Sequence, residues 1–436
     1  MAEPDAGRIL CVDFGSTFTK AVLVDVGSGR VVGATSHRTT IDTDVLDGLD
    51  ACRSELGVAA DVEVLACSSA GGGLRIAVLG NEELVTAEAG RRVALSSGGM
   101  VDDVLTIAEG RVTLTSDVIL LTGGTDGGNT ESLLAGARLI ADSPWRGPVV
   151  VAGNVEARDE ASAILGDVPH VLADNVVPRI GVLAPESARA AIREMFLAHV
   201  IGGKALSSRG GFTELVQGPT PDLVLTGVEV LAQVVGDVAV VDVGGATTDV
   251  HSVVTLDPEE SGLSREVVAV SPVTRTVEGD LGMRWSALST AEAAERPDLV
   301  EAAVRRQAEP GYLPEDDAEA DLDEQLAQAA VGLALRRHAG RSRVVVSPEG
   351  RVVERTGKDL REVDLLVCSG GIFRHGRSGV SDRVLAGSVG PDTPGGWQLP
   401  ARARVVTDQQ SVLAAVGLLS KAHPGTASRL ARRLSD

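Results

Sequence analysis

Apolar residues along the chain fall into short, valine-rich runs of strand length. The clearest runs are RILCVDF, KAVLVDV, VEVLACS, DVILLTG, GPVVVAG, VAVVDVG, DVHSVVTL and VDLLVCSGG. They hardly alternate with polar residues, which is typical of strands buried on both faces. Amphipathic patterns of helical period lie between many of them, such as TESLLAGARLIADS, RDEASAILGD and DEQLAQAAVGLALRRHAG. The pattern therefore predicts an α/β protein.

Two strand ends share one arrangement of residues. VDFGST (12–17) and VDVGGATTD (241–249) both run from an apolar residue through aspartate to glycine and small hydroxyl residues, and an apolar run follows each. Each stretch predicts a β-hairpin whose turn offers backbone N–H groups and hydroxyls to an anion. Asp13 and Asp242 would orient Mg²⁺, usually through water, and the ion would bridge to phosphates. An ordinary hairpin with a strand-capping aspartate is the alternative for either stretch alone, but the repetition favours a nucleotide site approached from two sides.

Two further elements lie near the C-terminus. In LLVCSGGIFRH (365–375) an apolar strand runs into Gly370 and Gly371, which would let a flat base or ribose lie against the backbone. TDQQSVLAAVGLLS (407–420) predicts a helix that an aspartate precedes.

Composition and charge narrow the range of functions. The chain has 436 residues, which is too long for one compact core, and aromatic residues make up only 2%. The net charge of −21 disfavours binding to nucleic acid or to anionic membranes. We expect no membrane span and no signal peptide, since MAEPDAGR at the N-terminus lacks a basic region and an apolar core. Four widely spaced cysteines without a C-x-x-C pair indicate a reduced, cytoplasmic protein.

In order and spacing, these elements resemble the superfamily of actin, sugar kinases and heat-shock-chaperone ATPases. The resemblance implies two actin-like (ribonuclease H-like) domains that flank a nucleotide cleft. The first domain would span 8–235, with an α/β insertion at about 60–180 and a completing helix at 407–421, and the second would span 236–406. The ATP-binding residues that it implies are Asp13, Gly15, Ser16 and Thr17 in the first phosphate loop, Asp242, Gly244, Gly245, Thr247 and Asp249 in the second, and Gly370 and Gly371 beside the adenosine. Lys20 would reach a phosphate or remain a solvated lysine.

Other stretches carry a narrower resemblance over about residues 9–420. They include ACSSAGGGLRIAVLG (66–80), LLTGGTDGGNTESLLAGA (120–137), VVVAGNVEARDEA (149–161), LADNVVPRIGVL (172–183) and VEGDLGMRWSA (277–287). Together with VVDVGGATTDVHSV (240–253), they resemble the MutL-type accessory protein family of adenosylcobalamin-dependent glutamate mutase, with GGTDGGN and GGATTDVHS as the most specific parts. Cys368 and Ser369 depart slightly from the residues expected before the paired glycines. The resemblance implies a reactivating factor that uses ATP and Mg²⁺ to release damaged cobalamin from a client mutase.

Several assignments remain open from the sequence. Asp249 is the first candidate for the acid that orients the attacking water, and Glu194 is the second; Asp13 would assist through the metal. A small-molecule kinase would need a carboxylate base beside an acceptor pocket, and an iron–sulfur activase would need cysteines at the domain junction. The glycine loops at 66–74 and 123–130 would contact the nucleotide, another anion or the client, or would be simple turns. The sequence specifies neither the client mutase, nor the need for a second subunit, nor the oligomeric state.

Overall fold

The computed structural model describes residues 7–81, 83–112, 115–255, 271–347, 350–390 and 394–435. The chain forms two compact units. The first consists mainly of residues up to Val230 with Val412–Arg433, and the second mainly of the described part of 231–411. The predicted α/β class is confirmed.

The strands in chain order are β1 (Arg8–Phe14), β2 (Phe18–Asp25), β3 (Arg30–Arg38), β4 (Glu63–Ser68), β5 (Arg75–Gly80), β6 (Met100–Thr106), β7 (Val118–Leu121), β8 (Val149–Val151), β9 (His170–Leu172), β10 (Val216–Pro219), β11 (Val238–Val243), β12 (Thr248–Val253), β13 (Val273–Glu278), β14 (Arg341–Ser347), β15 (Gly350–Thr356), β16 (Leu365–Gly370) and β17 (Arg404–Thr407). The α-helices are α1 (Leu46–Leu56), α2 (Glu88–Ser96), α3 (Glu131–Asp142), α4 (Arg158–Leu165), α5 (Glu186–Met195), α6 (Phe212–Leu215), α7 (Thr220–Val235), α8 (Ala287–Ala293), α9 (Val300–Ala308), α10 (Asp317–His338), α11 (Gly371–His375), α12 (Val380–Leu385), α13 (Val412–Ala422) and α14 (Pro424–Ser435).

The two units contain sheets of the same topology. The sheet of the first unit has the order β3-β2-β1-β4-β10, and that of the second has the order β13-β12-β11-β16-β17. In both sheets the first three strands are antiparallel to their neighbours, whereas the last two join in parallel. The chain therefore builds the same five-stranded sheet twice. The predicted hairpins are β1–β2 in the first copy and β11–β12 in the second.

The first unit also carries the predicted α/β insertion. Its sheet is entirely parallel and has the order β6-β5-β7-β8-β9. Buried apolar residues from both sheets of this unit join one core cluster, and the other face of the insertion sheet packs in a second cluster. On β7, for example, Val118 and Leu120 belong to the first cluster and Ile119 and Leu121 to the second, so burial on both faces accounts for the unbroken apolar runs in the sequence. The domain boundaries drawn from the resemblance remain predictions.

The predicted helix at 407–420 begins later than the sequence pattern indicates. Thr407 still pairs with Cys368 at the end of β17, and Ser411 has a φ of 56°, outside the helical region. Helix α13 therefore starts at Val412, and its buried face packs in the first unit. No helix among the described residues is both long and apolar enough to cross a membrane.

Candidate nucleotide-binding site

The two predicted phosphate loops have the same turn geometry. The backbone N–H of Gly15 donates to the Phe18 carbonyl at 3.1 Å, and that of Gly244 donates to the Thr247 carbonyl at 2.8 Å. Asp13 and Asp242 each lie two residues before these glycines, on β1 and β11. The equivalence places the first predicted loop (Asp13, Gly15, Ser16, Thr17) and the second (Asp242, Gly244, Gly245, Thr247) at matching positions of the repeated sheet.

Backbone carbonyls of both loops are bound from one side. In the first loop, Thr39 donates through Oγ1 to the Gly15 carbonyl (2.8 Å) and through its N–H to the Thr17 carbonyl (2.9 Å). Because C=O and the next N–H point in opposite directions across a trans peptide, the N–H groups of Ser16 and Phe18 point away from Thr39. The turn thus directs backbone donors to one side, as a phosphate-binding loop requires.

The second loop is held in the same way by the segment 282–286. The N–H groups of Met283 and Arg284 donate to the carbonyls of Gly244 (3.1 Å) and Gly245 (2.8 Å), and Ser286 Oγ donates to the Ala246 carbonyl (2.6 Å). The N–H groups of residues 245–247 therefore point away from this segment. The stretch VEGDLGMRWSA (277–287), which nucleotide contacts alone did not account for, therefore supports the second loop through its backbone and Ser286.

Asp13 is buried and is held by Thr220, Lys20 and Cys67, whose Sγ lies 3.7 Å from Oδ1 as a weak donor. Its Oδ1 accepts a hydrogen bond from Thr220 Oγ1 at 2.6 Å, and its Oδ2 lies 3.6 Å from Lys20 Nζ. Lys20 is the cross-strand partner of Asp13 and is half-buried, so it is an ion-pair partner of Asp13 rather than a freely solvated lysine. Thr220, the first residue of α7, was not identified from the sequence, since it lies 207 positions from Asp13.

The second hairpin carries an acidic residue where the first carries Lys20. Asp249 occupies the position of Lys20 and lies directly opposite Asp242 across β11 and β12. Arg275 Nη2 binds Asp249 Oδ2 at 2.9 Å, while Asp249 Oδ1 is buried and accepts no hydrogen bond from a described residue. Like charges at opposed positions destabilise a sheet, so this pair favours a bound cation.

His251 lies on the same strand as Asp249 and faces Arg275 across β12 and β13. Burial, reinforced by the charge of Arg275, lowers the pKa of His251 to about 3, against the opposing effect of Asp242. The imidazole is therefore neutral near pH 7 and adds no positive charge to the site.

These features fit an Mg²⁺–nucleotide group better at the second hairpin than at the first. Asp242 and Asp249 oppose each other there, only Asp249 is paired with Arg275, and Asp249 Oδ1 lacks a partner among the described residues. At the first hairpin Lys20 already compensates Asp13. Of the two predicted metal residues, Asp242 is the better placed.

The predicted adenosine glycines end the strand next to β11. Gly370 pairs with Val243 and has a φ of 114°, and a Cβ there would lie 2.2 Å from the Val243 carbonyl oxygen. Only glycine fits this position. Gly371 is exposed, and nothing lies within 4 Å of its Cβ position, so its backbone is open to a ligand.

Trp285 is a second residue that sequence reasoning missed. Its side chain is 50% exposed, and two ring carbons lie 2.7 and 3.0 Å from the Cβ position of Gly245. The indole of Trp285 therefore occupies the space beside Gly245 where a side chain would lie. The sequence predicted that a phosphate oxygen would use this space. The chain has only three tryptophans, and this scarcity was the signal available in the sequence.

Two other predicted regions have clear positions. The loop at 66–74 follows β4, and the N–H groups of Ser69 and Ala70 bind the Phe14 carbonyl, so it adjoins the first hairpin. Glu194 is exposed on α5, which packs against β8 and β9 of the insertion. Within the described part of the chain, its side chain makes no hydrogen bond or ion pair with the first hairpin.

Comparison with known proteins identifies relatives along almost the whole chain. A family model described as MutL protein matches residues 9–434. Protein MutL of Clostridium tetanomorphum is 35% identical over 456 aligned residues, covering 97% of this chain and 98% of that protein.

Solved structures show only distant likeness. Nucleotide-free acetone carboxylase aligns with 94% of this chain and 70% of its own at 14% identity and a TM-score of 0.43. A gluconate kinase from Lactobacillus acidophilus aligns with 98% of this chain and 91% of its own at 12% identity and a TM-score of 0.35.

Proposed function

The chain belongs to the MutL protein family, and from this premise we propose that it is an ATP-driven reactivating factor. The proposed reaction is ATP hydrolysis coupled to release of damaged cobalamin from an adenosylcobalamin-dependent mutase of the glutamate mutase or aminomutase type. A cytoplasmic setting is part of the proposal and is supported by the four cysteines, all of which are free and buried.

The observation that carries the proposal is the repeated hairpin. Both units present an Asp-x-Gly turn whose carbonyls are bound from one side, and the second turn adds an opposed pair of carboxylates. Loops that direct N–H groups outward suit nucleotide phosphates, and excess negative charge beside one of them suits Mg²⁺.

Five of the predicted residues have a role in this proposal. Backbone N–H groups near Ser16 and Gly245 would hold phosphate oxygens, and the open backbone at Gly371 would lie along the adenosine. Asp242 would orient Mg²⁺, which neutralises phosphate charge in phosphoryl transfer. Asp249 would orient the attacking water through its free Oδ1, because Arg275 fixes the other carboxylate oxygen.

Coupling to a client requires that the nucleotide favour one conformation. A shift from about 1:99 to 99:1 between two conformations needs roughly 5.5 kcal/mol of differential binding. Contacts from two phosphate loops and a metal ion are the kind of interaction that supplies such a difference, and a mutase bound to one conformation would then respond to ATP.

The test is steady-state ATPase activity with and without a mutase whose cobalamin has been inactivated. Stimulation by the inactive mutase, together with release of cobalamin and recovery of mutase activity, supports the proposal. A phosphorylated small-molecule product would instead identify a kinase, and transfer of an electron to the partner would identify an activase. Neither outcome is compatible with the proposal.

A further inference from the structure

The insertion of the first unit has its own ligand-binding topology. Its five parallel strands lie in the order second-first-third-fourth-fifth, so the winding of the chain reverses between β5 and β7. In open parallel sheets, ligands bind outside the carboxyl ends of the strands at such a reversal. The loop that leaves β7 at this edge is the glycine-rich stretch 122–130.

Two buried asparagines bind carbonyls of this loop from within the unit. Asn154 Nδ2 donates to the carbonyls of Gly128 (3.3 Å) and Asn129 (3.5 Å), and Asn175 Nδ2 donates to the Gly124 carbonyl (2.9 Å). Asn154 and Asn175 are almost fully buried. Because C=O and the next N–H point in opposite directions across a trans peptide, the N–H groups of residues 125, 129 and 130 point away from the asparagines.

The glycines make this arrangement possible. Gly124 has a φ of 68°, and a Cβ there would lie 2.1 Å from the Asn129 carbonyl oxygen. Gly127 has a φ of 73°. The loop therefore folds back on itself tightly and becomes a third turn whose carbonyls are bound on one side, after those of the two hairpins.

An independent feature of the same place is the hydroxyl of Ser132. Ser132 lies in the first turn of α3 and is 6% exposed, and its Oγ is buried without a partner among the described residues. This Oγ and the N–H nitrogen of Leu133 both lie 3.3 Å from the empty Cβ position of Gly123, where the loop begins. A buried hydroxyl without a partner is costly, and an oxygen-bearing ligand at the loop would satisfy it.

Two acidic side chains, Asp126 and Glu131, lie at or beside the loop. Asp126 Oδ1 accepts hydrogen bonds from Asn175 Nδ2 (2.9 Å) and from the Val155 N–H (3.2 Å). Glu131 is paired with Arg138. In the first turn of α3, the Ser132 N–H binds Asn129 Oδ1 and the N–H groups of Leu133 and Leu134 bind the Thr130 carbonyl. The donors left for a phosphate oxygen are therefore the outward N–H groups of the loop, next to the positive end of the α3 dipole.

We propose that the insertion binds a phosphate-bearing small molecule of mononucleotide type at loop 122–130, in a site separate from the ATP site proposed at the hairpins. The phosphate would lie on the N–H groups of residues 125, 129 and 130 with Ser132 beneath it, and the rest of the ligand would lie along the edge between β5 and β7. This site does not depend on the proposed reactivation function.

The experiment is hydrogen–deuterium exchange of the full chain, titrated with inorganic phosphate and with adenosine monophosphate as probes. We expect slower exchange in peptides covering 122–134, with adenosine monophosphate effective at lower concentration if the ligand is a nucleotide and equal effectiveness if free phosphate is bound. In Ser132→Ala, the probe concentration needed for half-maximal protection should rise about tenfold, which corresponds to a loss of about 1.4 kcal/mol in binding free energy. It should leave thermal stability unchanged or higher, because it removes an unsatisfied hydroxyl.

The matched control is Ser143→Ala at the other end of α3, where Ser143 Oγ donates to the Ile140 carbonyl (2.7 Å) and accepts from the Trp145 N–H (3.1 Å). It should retain full protection. Absence of protection at 122–134 with both probes, or equal protection in Ser132→Ala, overturns the proposal. Protection confined to the hairpins at 13–20 and 242–249 would overturn this site while supporting nucleotide binding at the hairpins.

Discussion

Thr220→Val tests whether the start of α7 fixes the carboxylate of the first hairpin. Valine keeps the branched shape of threonine but removes the hydroxyl that donates to Asp13 Oδ1 at 2.6 Å. Asp13 is only 9% exposed, so water replaces this bond poorly. A hydrogen bond to a charged group contributes about 1.5–3 kcal/mol, and we expect the first unit to lose that much stability.

The expected size of the effect can be converted to two observables. At about 2–4 °C per kcal/mol for a domain of this size, the melting temperature should fall by roughly 3–12 °C. If the carboxylate also turns away from the nucleotide, ATP turnover should fall about 10- to 100-fold, since each 1.36 kcal/mol is a factor of ten. Circular dichroism melting and steady-state ATPase assays measure the two effects.

Two variants make the result interpretable. Thr220→Ser keeps a hydroxyl and should recover most of the stability and turnover. Thr226→Val, on the same helix, removes a hydroxyl that bonds only the Asp222 carbonyl at 2.9 Å and should have little effect on turnover. If Thr220→Val and Thr226→Val behave alike in both assays, the contact between α7 and Asp13 does not position the carboxylate.

Three further predictions concern other parts of the structure. Asp13→Asn and Asp242→Asn should each lower turnover at least about 100-fold, or roughly 2.7 kcal/mol, with a smaller loss of nucleotide affinity; wild-type ATPase in either folded variant contradicts its metal role. Trp285→Phe should abolish a change in intrinsic fluorescence on adding Mg²⁺–ATP, and a change that persists would have to come from another tryptophan. Burial lowers the pKa of His338 well below 6.5, so this histidine stays neutral in the folded chain while it becomes protonated in the unfolded chain below pH 6.5. The free energy of unfolding should therefore fall with decreasing pH below 6.5, by up to about 1.4 kcal/mol per pH unit. His338→Gln should flatten that slope in denaturant titrations, and an unchanged slope would mean that this histidine is not held neutral.

Local sequence patterns were sufficient for the parts of the site that depend on neighbouring residues. A hairpin is determined by its own strands and turn, so the positions of Asp13, Gly15, Asp242 and Gly244 followed from spacing. The short turn also sets Asp249 opposite Asp242.

Contacts between distant segments were not predictable in this way. Thr220 reaches Asp13 across 207 residues, and Trp285 reaches Gly245 only because the backbone of 282–286 binds the loop. The order of the insertion strands depends on which edges pair, and no local pattern records that. Sequence reasoning therefore placed the loops but not the segments that support them.

The proposed function requires that each hairpin take part in binding Mg²⁺–nucleotide. Hydrogen–deuterium exchange of the full chain with and without Mg²⁺–ATP tests it most directly. We expect slower exchange in both 13–20 and 242–249 at the same nucleotide concentration, and loss of both effects in Asp242→Asn at that concentration. Protection of one hairpin alone, or of neither at saturating nucleotide, would contradict it.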